Sequence, residues 1–503
     1  MESNLSHETI KINQEIYNGT LEQPVELEYQ LPDYYPGIFK MLQFRLEPHI
    51  CSCRTSGDQI IIDGDSTMKL MYVDEENGLI RTINQNIPFS KTMKLKNEND
   101  LEEIVVFYNI KTNYANCRIV SPRKIDVKGS LIISLKIQTQ NDEVILNNAG
   151  KDGIELNRSS VSIISDQIWT TRQFGISEQI ELDPPAQEIL DVRINAVANE
   201  CKIISNKAIT KGEAYIHILY CTENSNVPIV KNFTTQISQI VDMPRIDENF
   251  ICDVKYDITA VDSNISENGN ALDLDADVTV NSCAMLLKNI DLVTDAYSTE
   301  YEIKATNKEI NFSSVLSLIN DAIVLNETVE KIKFSEIYDM CVNITDLSPK
   351  QEKDGFSFNA KLNIIALVNS NDDIAEVYEK TVPIEFKLKK DIKSETSNVD
   401  VNLVVTDVSY EIVNGNLEIK IHAHVGGFVF CNEKFATVSD LVLDDTKPKE
   451  KANSALMLYY PEHGDSVWNI AKKFCTSTKA IMEANDLEDD VVMNKVMLII
   501  PIV

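Results

Sequence analysis

Basic residues are scarce in this 503-residue chain: 47 lysines and arginines stand against 78 aspartates and glutamates, a formal net charge of −31. So acidic a surface repels nucleic-acid phosphates and anionic lipid headgroups, which argues against a charge-driven role on DNA, RNA or a membrane surface. Glycine (16) and proline (15) are also few, so a collagen-like or linker-dominated architecture is excluded. Ten cysteines are too sparse for a disulfide framework. Most of them (Cys117, Cys201, Cys221, Cys252, Cys283, Cys341) lie in apolar, strand-like runs, the expected setting of buried thiols in a reducing cytosol. No stretch approaches the roughly 18 uninterrupted apolar residues of a membrane helix, so no membrane insertion is expected. The segment MESNLSHETIKINQE has neither a basic n-region nor an apolar h-region, so the expectation is no secretory signal and synthesis in the cytosol.

Motifs that carry chemistry are missing too. No G-x-x-x-x-G-K, G-x-G-x-x-G, H-E-x-x-H or G-x-S-x-G sequence occurs, which removes the phosphate-cradling loops and the commonest zinc-protease and hydrolase signatures. His49-x-Cys51-x-Cys53 and His422-x-His424 have the period-2 spacing that puts side chains on one strand face. A zinc site needs further ligands, and C-x-C is a weaker signal than paired C-x-x-C, so half-buried strand residues are the expected reading. The acidic clusters Asp74-Glu75-Glu76, Glu102-Glu103 and Asp444-Asp445 are expected to be solvated faces. No catalytic residue, cofactor or metal is therefore assigned, and the chain is expected not to be an enzyme.

What is present is alternation. Hydrophobic residues make up 43% of the chain, enough for several cores, and the length allows three or four domains. Apolar and polar residues alternate over five to eight positions in Ser130–Gln138, Ala214–Tyr220, Leu274–Val280 and Leu417–His424, the period of a strand with one buried face. Over Ile310–Leu325 helix and strand patterns compete. Self-comparison aligns IDGDSTMKLMY (62–72), ITKGEAYIHILY (209–220) and FNAKLNIIALV (358–368), with copies about 147 residues apart. The expected fold is mainly β: three tandem all-β domains, sandwich-like or open-barrel, each of perhaps eight short strands. Their boundaries are read as 1–150, 151–293 and 294–432. A linker over 433–456 and a small βααβ domain over 457–503 follow.

In that last unit Gly464-Asp465 marks a tight turn and Ser466 an N-cap whose oxygen accepts from the amide of Asn469. Val467, Ile470, Ala471 and Phe474 make an amphipathic stripe. Ser477 opens a second helix with Ala480, Ile481 and Ala484 inward, ended by Asn485, and Val496–Pro501 reads as the closing strand. Tyr459, Gly464-Asp465-Ser466-Val467-Trp468-Asn469-Ile470-Ala471, Ile481, Asn485 and Leu498-Ile499-Ile500-Pro501 together resemble a LysM domain. Pro461, Asn494-Lys495 and the acidic run Asp486–Asp490 depart from that pattern. The resemblance implies a groove for N-acetylated glycans between Gly464, Asp465, Ser466 and Val467 on one side and Asn485, Asp486 and Leu487 on the other. Trp468 is expected to be exposed and to anchor a protein partner.

With Leu70-Met71-Tyr72, Ile218-Leu219-Tyr220 and Ile87-Pro88-Phe89, the whole arrangement is similar to the SipL family of clostridial coat-morphogenesis proteins, which combine SPOCS domains with a terminal LysM. That resemblance implies a non-enzymatic scaffold in the mother-cell cytoplasm, at the forespore surface and in the spore coat. Its LysM would dock onto the basement-layer coat ATPase (stage IV sporulation protein A), with contacts to other coat proteins. The alternative is a peptidoglycan-binding protein anchored on cortex or cell-wall glycan.

Overall fold

A computed structural model describes residues 5–95, 104–150, 153–223, 225, 227–369, 375–390, 397–449, 454–462, 465–487 and 497–502. The alternating segments form strands much longer than expected. The first repeat comprises β1 (Ser6–Gln30), β2 (Ile38–Ser56), β3 (Gln59–Asp74), β4 (Ile80–Lys94), β5 (Ile104–Ser121) and β6 (Lys124–Asn148). The second comprises β7 (Ile154–Glu181), β8 (Glu188–Ile204), β9 (Lys207–Cys221), β10 (Ile229–Asp242), β11 (Phe250–Ile265) and β12 (Ala271–Ser298). The third comprises β13 (Tyr301–Val329), β14 (Glu336–Glu352), β15 (Gly355–Asn369), β16 (Ala375–Lys389), β17 (Ser397–Val413) and β18 (Asn416–Pro448). The C-terminal unit is β19 (Leu456–Tyr459), α1 (Val467–Phe474), α2 (Thr478–Asn485) and β20 (Leu498–Pro501).

Each repeat is thus six long strands rather than eight short ones, arranged as two antiparallel three-stranded sheets: β1-β6-β5 with β2-β3-β4, β7-β12-β11 with β8-β9-β10, and β13-β18-β17 with β14-β15-β16. The two sheets of a repeat pack face to face. In the first, Val25, Met68, Leu70, Tyr72, Ile125, Val127 and Leu131 share one core, which makes the repeat a sandwich. Ile310–Leu325 resolves as strand within β13.

The expected linker is corrected in its first part, because 433–448 belongs to β18, paired with β13. A bulge at Ser439 shifts the register, so Val438 and Leu441 are both buried three residues apart and the period-2 signal is lost. The expected boundary at 293/294 falls inside β12.

First and last strands overrun their sandwich. Bulges at Ile16, Ser165 and Leu316 mark where each pair leaves it. Beyond them Ile10, Ile145, Ile163, Ile290, Leu292, Ile310 and Phe312 from all three repeats meet in a shared stem core. At the other end the second strands carry bulges at Leu42, Leu190 and Tyr338, 148 residues apart. These residues gather with Met71, Leu219 and Leu367 in another cluster fed by all three repeats. β4 packs on β8, β10 on β14 and β16 on β2. The repeats therefore form a closed ring with pseudo-threefold symmetry, each presenting its fourth strand to the next repeat's second.

Register identifies equivalent seam residues. Gln43, Asp191 and Asp339 follow the bulge, and Arg45, Arg193 and Cys341 lie two further on. Across the 1/2 seam Arg45 Nη2 donates to Asp191 at 2.7 Å, and Lys69 Nζ donates to the same carboxylate at 3.2 Å. Across the 2/3 seam Arg193 Nη2 donates to both oxygens of Asp339 at 2.7 Å, and His217 Nε2 lies 2.8 Å from Oδ1. At the 3/1 seam the same positions hold the uncharged pair Cys341 and Gln43. Further out Arg81 pairs with Glu188 across the 1/2 seam. The equivalent positions across the 3/1 seam carry an ion pair of reversed polarity, Glu376 with Lys40 at 3.1 Å. Arg45, Arg193 and Cys341 all line an axial cavity of about 1790 Å³. No helix among the described residues is long and apolar enough to cross a membrane.

Candidate partner-binding site

In the C-terminal unit β19 and β20 form a short antiparallel ladder, Leu456 opposite Pro501 and Tyr459 opposite Leu498. Ser466 Oγ accepts from the amide of Asn469 and Ser477 Oγ from that of Ala480, each at 3.1 Å, so both expected N-caps are present. Val467, Ile470, Ala471, Ile481, Leu498 and Ile500 are buried between helices and ladder, with Phe474 packed partly against them. Ala484, expected inward, is exposed, because the short α2 buries only Ile481 fully.

The expected groove residues are mostly engaged inside the module. Asp465 Oδ2 accepts from the amide of Glu462 (2.9 Å) and the hydroxyl of Tyr459 (2.8 Å), and these bonds hold its carboxyl below the usual range. Ser466 caps α1 and Val467 is core. The Asn485 amide donates to the carbonyls of Ile481 (2.8 Å) and Ile499 (2.6 Å), while its oxygen accepts from the Ile499 amide (2.7 Å), fastening α2 to β20. Leu487 packs partly into the core. Asp486, the left-handed C-cap with φ 52°, is exposed. Gly464, Glu488–Asp490, Asn494-Lys495 and Val496 lie outside the described residues.

Trp468 contradicts expectation. It is 7% exposed, because the module docks on the second repeat. Its indole packs edge-on against Tyr297 of β12 (centroids 4.9 Å apart), and its Nε1 donates to Asp295 Oδ2 at 2.9 Å. Lys472 Nζ reaches the same carboxylate at 2.6 Å, and the buried Tyr297 hydroxyl donates to the Thr476 carbonyl at 2.7 Å. Burial works to raise the Asp295 pKa, but the bonds from Lys472 and Trp468 overcome it and leave the carboxyl low. Trp468 is therefore an anchor within the chain rather than for a partner.

A different face is open. Leu456 and Leu458 point outward along β19 with Tyr460 just past its end, and Met497, just before β20, and Ile499 do so beside them, at 37–64% exposure. Both helices cover the opposite face of the ladder, so these five side chains form an uncovered apolar patch. The signal lay in the alternation of ALMLYY and VMLIIP, because a two-stranded sheet covered on one side must turn every second residue to water.

Elsewhere the expectations divide. Cys51 is a bulge residue in β2, so His49, Cys51 and Cys53 do not share one face. Cys53 instead packs toward Ile50 and Ile60, where burial pushes its thiol up to about 11. None of the ten cysteines is in a disulfide, and Cys53, Cys201, Cys341 and Cys475 are half-buried. No group of three or more metal-ligating side chains occurs among the described residues. Asp74 is buried, not solvated: burial raises its pKa, and bonds from the Asn77 amide and Arg81 more than reverse that. Glu102-Glu103 lie outside the described residues.

Residues 37–120 and 185–266 match the family model "SipL, SPOCS domain", and residues 462–501 match the LysM domain. The SPOCS segments cover β2–β5 and β8–β11, and β14–β17 occupy the equivalent place in the third repeat. No curated protein and no solved structure matches the chain.

Proposed function

We propose that this SipL-type chain, with its SPOCS domains and LysM domain, is a non-enzymatic scaffold of the spore coat that docks through the LysM onto the basement-layer coat ATPase at the forespore surface, in the mother-cell cytoplasm. The families matched are non-catalytic and associated with sporulation and coat assembly. The observation that carries the protein-docking reading is the uncovered patch of Leu456, Leu458, Tyr460, Met497 and Ile499. Aromatic and aliphatic side chains on a rigid ladder lose little conformational entropy on binding and supply the desolvated centre of a protein interface. The ring offers further surfaces on the same chain, and several modest contacts to a coated surface act together through effective concentration.

The runner-up, glycan binding, rests on the LysM match itself. The two readings separate in one experiment on the full chain. Wild type and a Leu458→Asp/Ile499→Asp variant are offered the purified ATPase and, separately, insoluble peptidoglycan. The scaffold reading expects ATPase binding by wild type and at least about a tenfold loss in the variant, the scale of removing two interface anchors. Undiminished ATPase binding by the folded variant sinks the patch. Pelleting with peptidoglycan that chitin oligosaccharides compete away, without ATPase binding, transfers the module to the glycan reading.

A further inference from the structure

Below the large axial cavity a second one of about 930 Å³ is lined by all three repeats, and Lys255, Asn281 and Asn402 border both. Register places six of its residues at one level of the pseudo-threefold axis. On the fifth strands these are Phe107, Asp253 and Asp400; opposite them on the sixth strands are Lys136, Cys283 and Phe428. The level therefore holds two carboxylates and one ammonium.

That ammonium shows how the level accommodates a cation. Lys136 Nζ lies 5.9 Å from the Phe107 ring centroid and 5.3 Å from that of Phe430, and 3.8 Å from the Asp400 carboxylate. It is held by aromatic faces and an acid together. Asp253 occupies the position equivalent to Asp400, but the lysine has no counterpart near it. Cys283 stands opposite, and among the described residues no Lys, Arg or His forms an ion pair with the Asp253 carboxylate, though the His424 ring borders the same spot beside Gly426. Lys255, the nearest cation in the same strand, is paired with Asp257 at 2.8 Å. Asp253 is half-buried in the cavity wall, and desolvation raises its pKa to about 6, with Asp400 adding to the effect against a bond from the Val254 amide and the charge of Lys255.

Space is left in front of it. Trp169, Cys283 and Asp253 are cross-strand neighbours on β7, β12 and β11, so their side chains share one face. The indole and the carboxylate stand two strand spacings apart, about 10 Å, over the small thiol between them. On the facing side Gly426 has no side chain; a Cβ there would come into contact with the His424 ring at 3.6 Å and with Asp253 Oδ1 at 4.0 Å, so the glycine leaves this wall of the cavity one carbon wider.

We infer that this level of the axis is a binding site for one small organic ammonium ion, its charged head on the Asp253 carboxylate and its alkyl part along Trp169 and Phe428 over Cys283. The volume lies within the range of small-molecule sites. A half-buried carboxylate with no ion-pair partner is a costly arrangement that such a ligand relieves.

The test uses the full chain and n-butylammonium chloride at constant ionic strength, read by tryptophan fluorescence, with Trp169→Phe assigning the signal to the cavity. The expected result is a saturable change with a midpoint in roughly the millimolar range, as suits one charge-assisted contact and a short alkyl chain. Asp253→Asn shifts the midpoint at least about tenfold upward. Neither 1-butanol nor potassium chloride reproduces the saturation. Saturation by 1-butanol would reduce the site to an apolar hole, and saturation by potassium would make it an inorganic cation site; either overturns the proposal, as does equal binding by Asp253→Asn. Cys283→Lys supplies an ammonium opposite Asp253 from within the chain and is expected to abolish butylammonium binding. Unaltered binding by that variant overturns the proposal independently of how Asp253→Asn folds.

Discussion

Near the axis Asp191 is buried and Asp253 half-buried, and their surroundings push the two carboxylates in opposite directions. Burial alone would raise Asp191, but Arg45, Lys69 and Arg193 overcome it and hold the acid well below its ordinary value. Its stabilising contribution is present above the unfolded value near 4 and is lost as pH falls through the lowered folded value. Asp253 has the reverse sign: its contribution is present below about pH 4 and is lost as pH rises through about 6. Thermal unfolding of wild type and Asp253→Asn across pH 4–7 is expected to show the wild type losing ground to the variant as pH rises; parallel curves would refute the raised pKa. Asp339 supplies a mutational counterpart. Arg193→Met leaves that buried acid to His217 alone and should lower stability by about 3–5 kcal/mol, measured by urea unfolding. Single residues were legible where their role is local. Ser466 and Ser477 were recognisable as caps because capping involves a residue and its third neighbour. Trp468 was not, because its burial depends on Tyr297 and Asp295, more than 170 residues away in sequence.

At the level of elements, alternation identified strands but not their lengths. The bulges at Ile16, Ser165, Leu316 and Ser439 each shift the apolar phase by one residue, so a continuous strand reads as two short ones or as a strand and a linker. This is why six strands read as eight and why the end of β18 reads as a connection. The packing of α1 on β12 is likewise tertiary. Trp468→Glu would set a second carboxylate against Asp295 and remove the ring from Tyr297. The module is then expected to detach and the chain to become sensitive to protease near residues 449–456, while the repeats keep their melting temperature. Unchanged protease resistance would show that the dock does not depend on this contact.

For the molecule as a whole, the three copies were visible in the sequence and their closure into a ring was not. The spacing of about 147 residues foreshadowed the 148 between Leu42, Leu190 and Tyr338, but which strand meets which across a seam depends on packing between copies. The ring makes a specific demand at its uncharged seam. Gln43→Asp and Cys341→Arg should each destabilise alone, by introducing an unpaired charge at a position where the other seams bury theirs. The double variant should recover much of that loss by forming a third Arg–Asp pair, with a coupling of about 1.5 kcal/mol or more in a double-mutant cycle. Additive losses would mean that the seams are not equivalent.

The same seam governs assembly. A chain leaving the ribosome in order can join its first repeat to its second, and its second to its third, but the circle cannot shut until β16 and β17 have been made. Of the pairs across this closing seam, Lys40 with Glu376 and Lys111 with Asp346 keep both side chains well exposed to water, and Lys136, itself partly covered, pairs with an exposed Asp400. The dehydrated Arg45–Asp191 and Arg193–Asp339 pairs lie in the two seams between consecutive repeats. The final step of folding thus works as a clasp: it shuts while stripping less water from its charges, after the costlier joints between successive repeats have had the whole of synthesis in which to form.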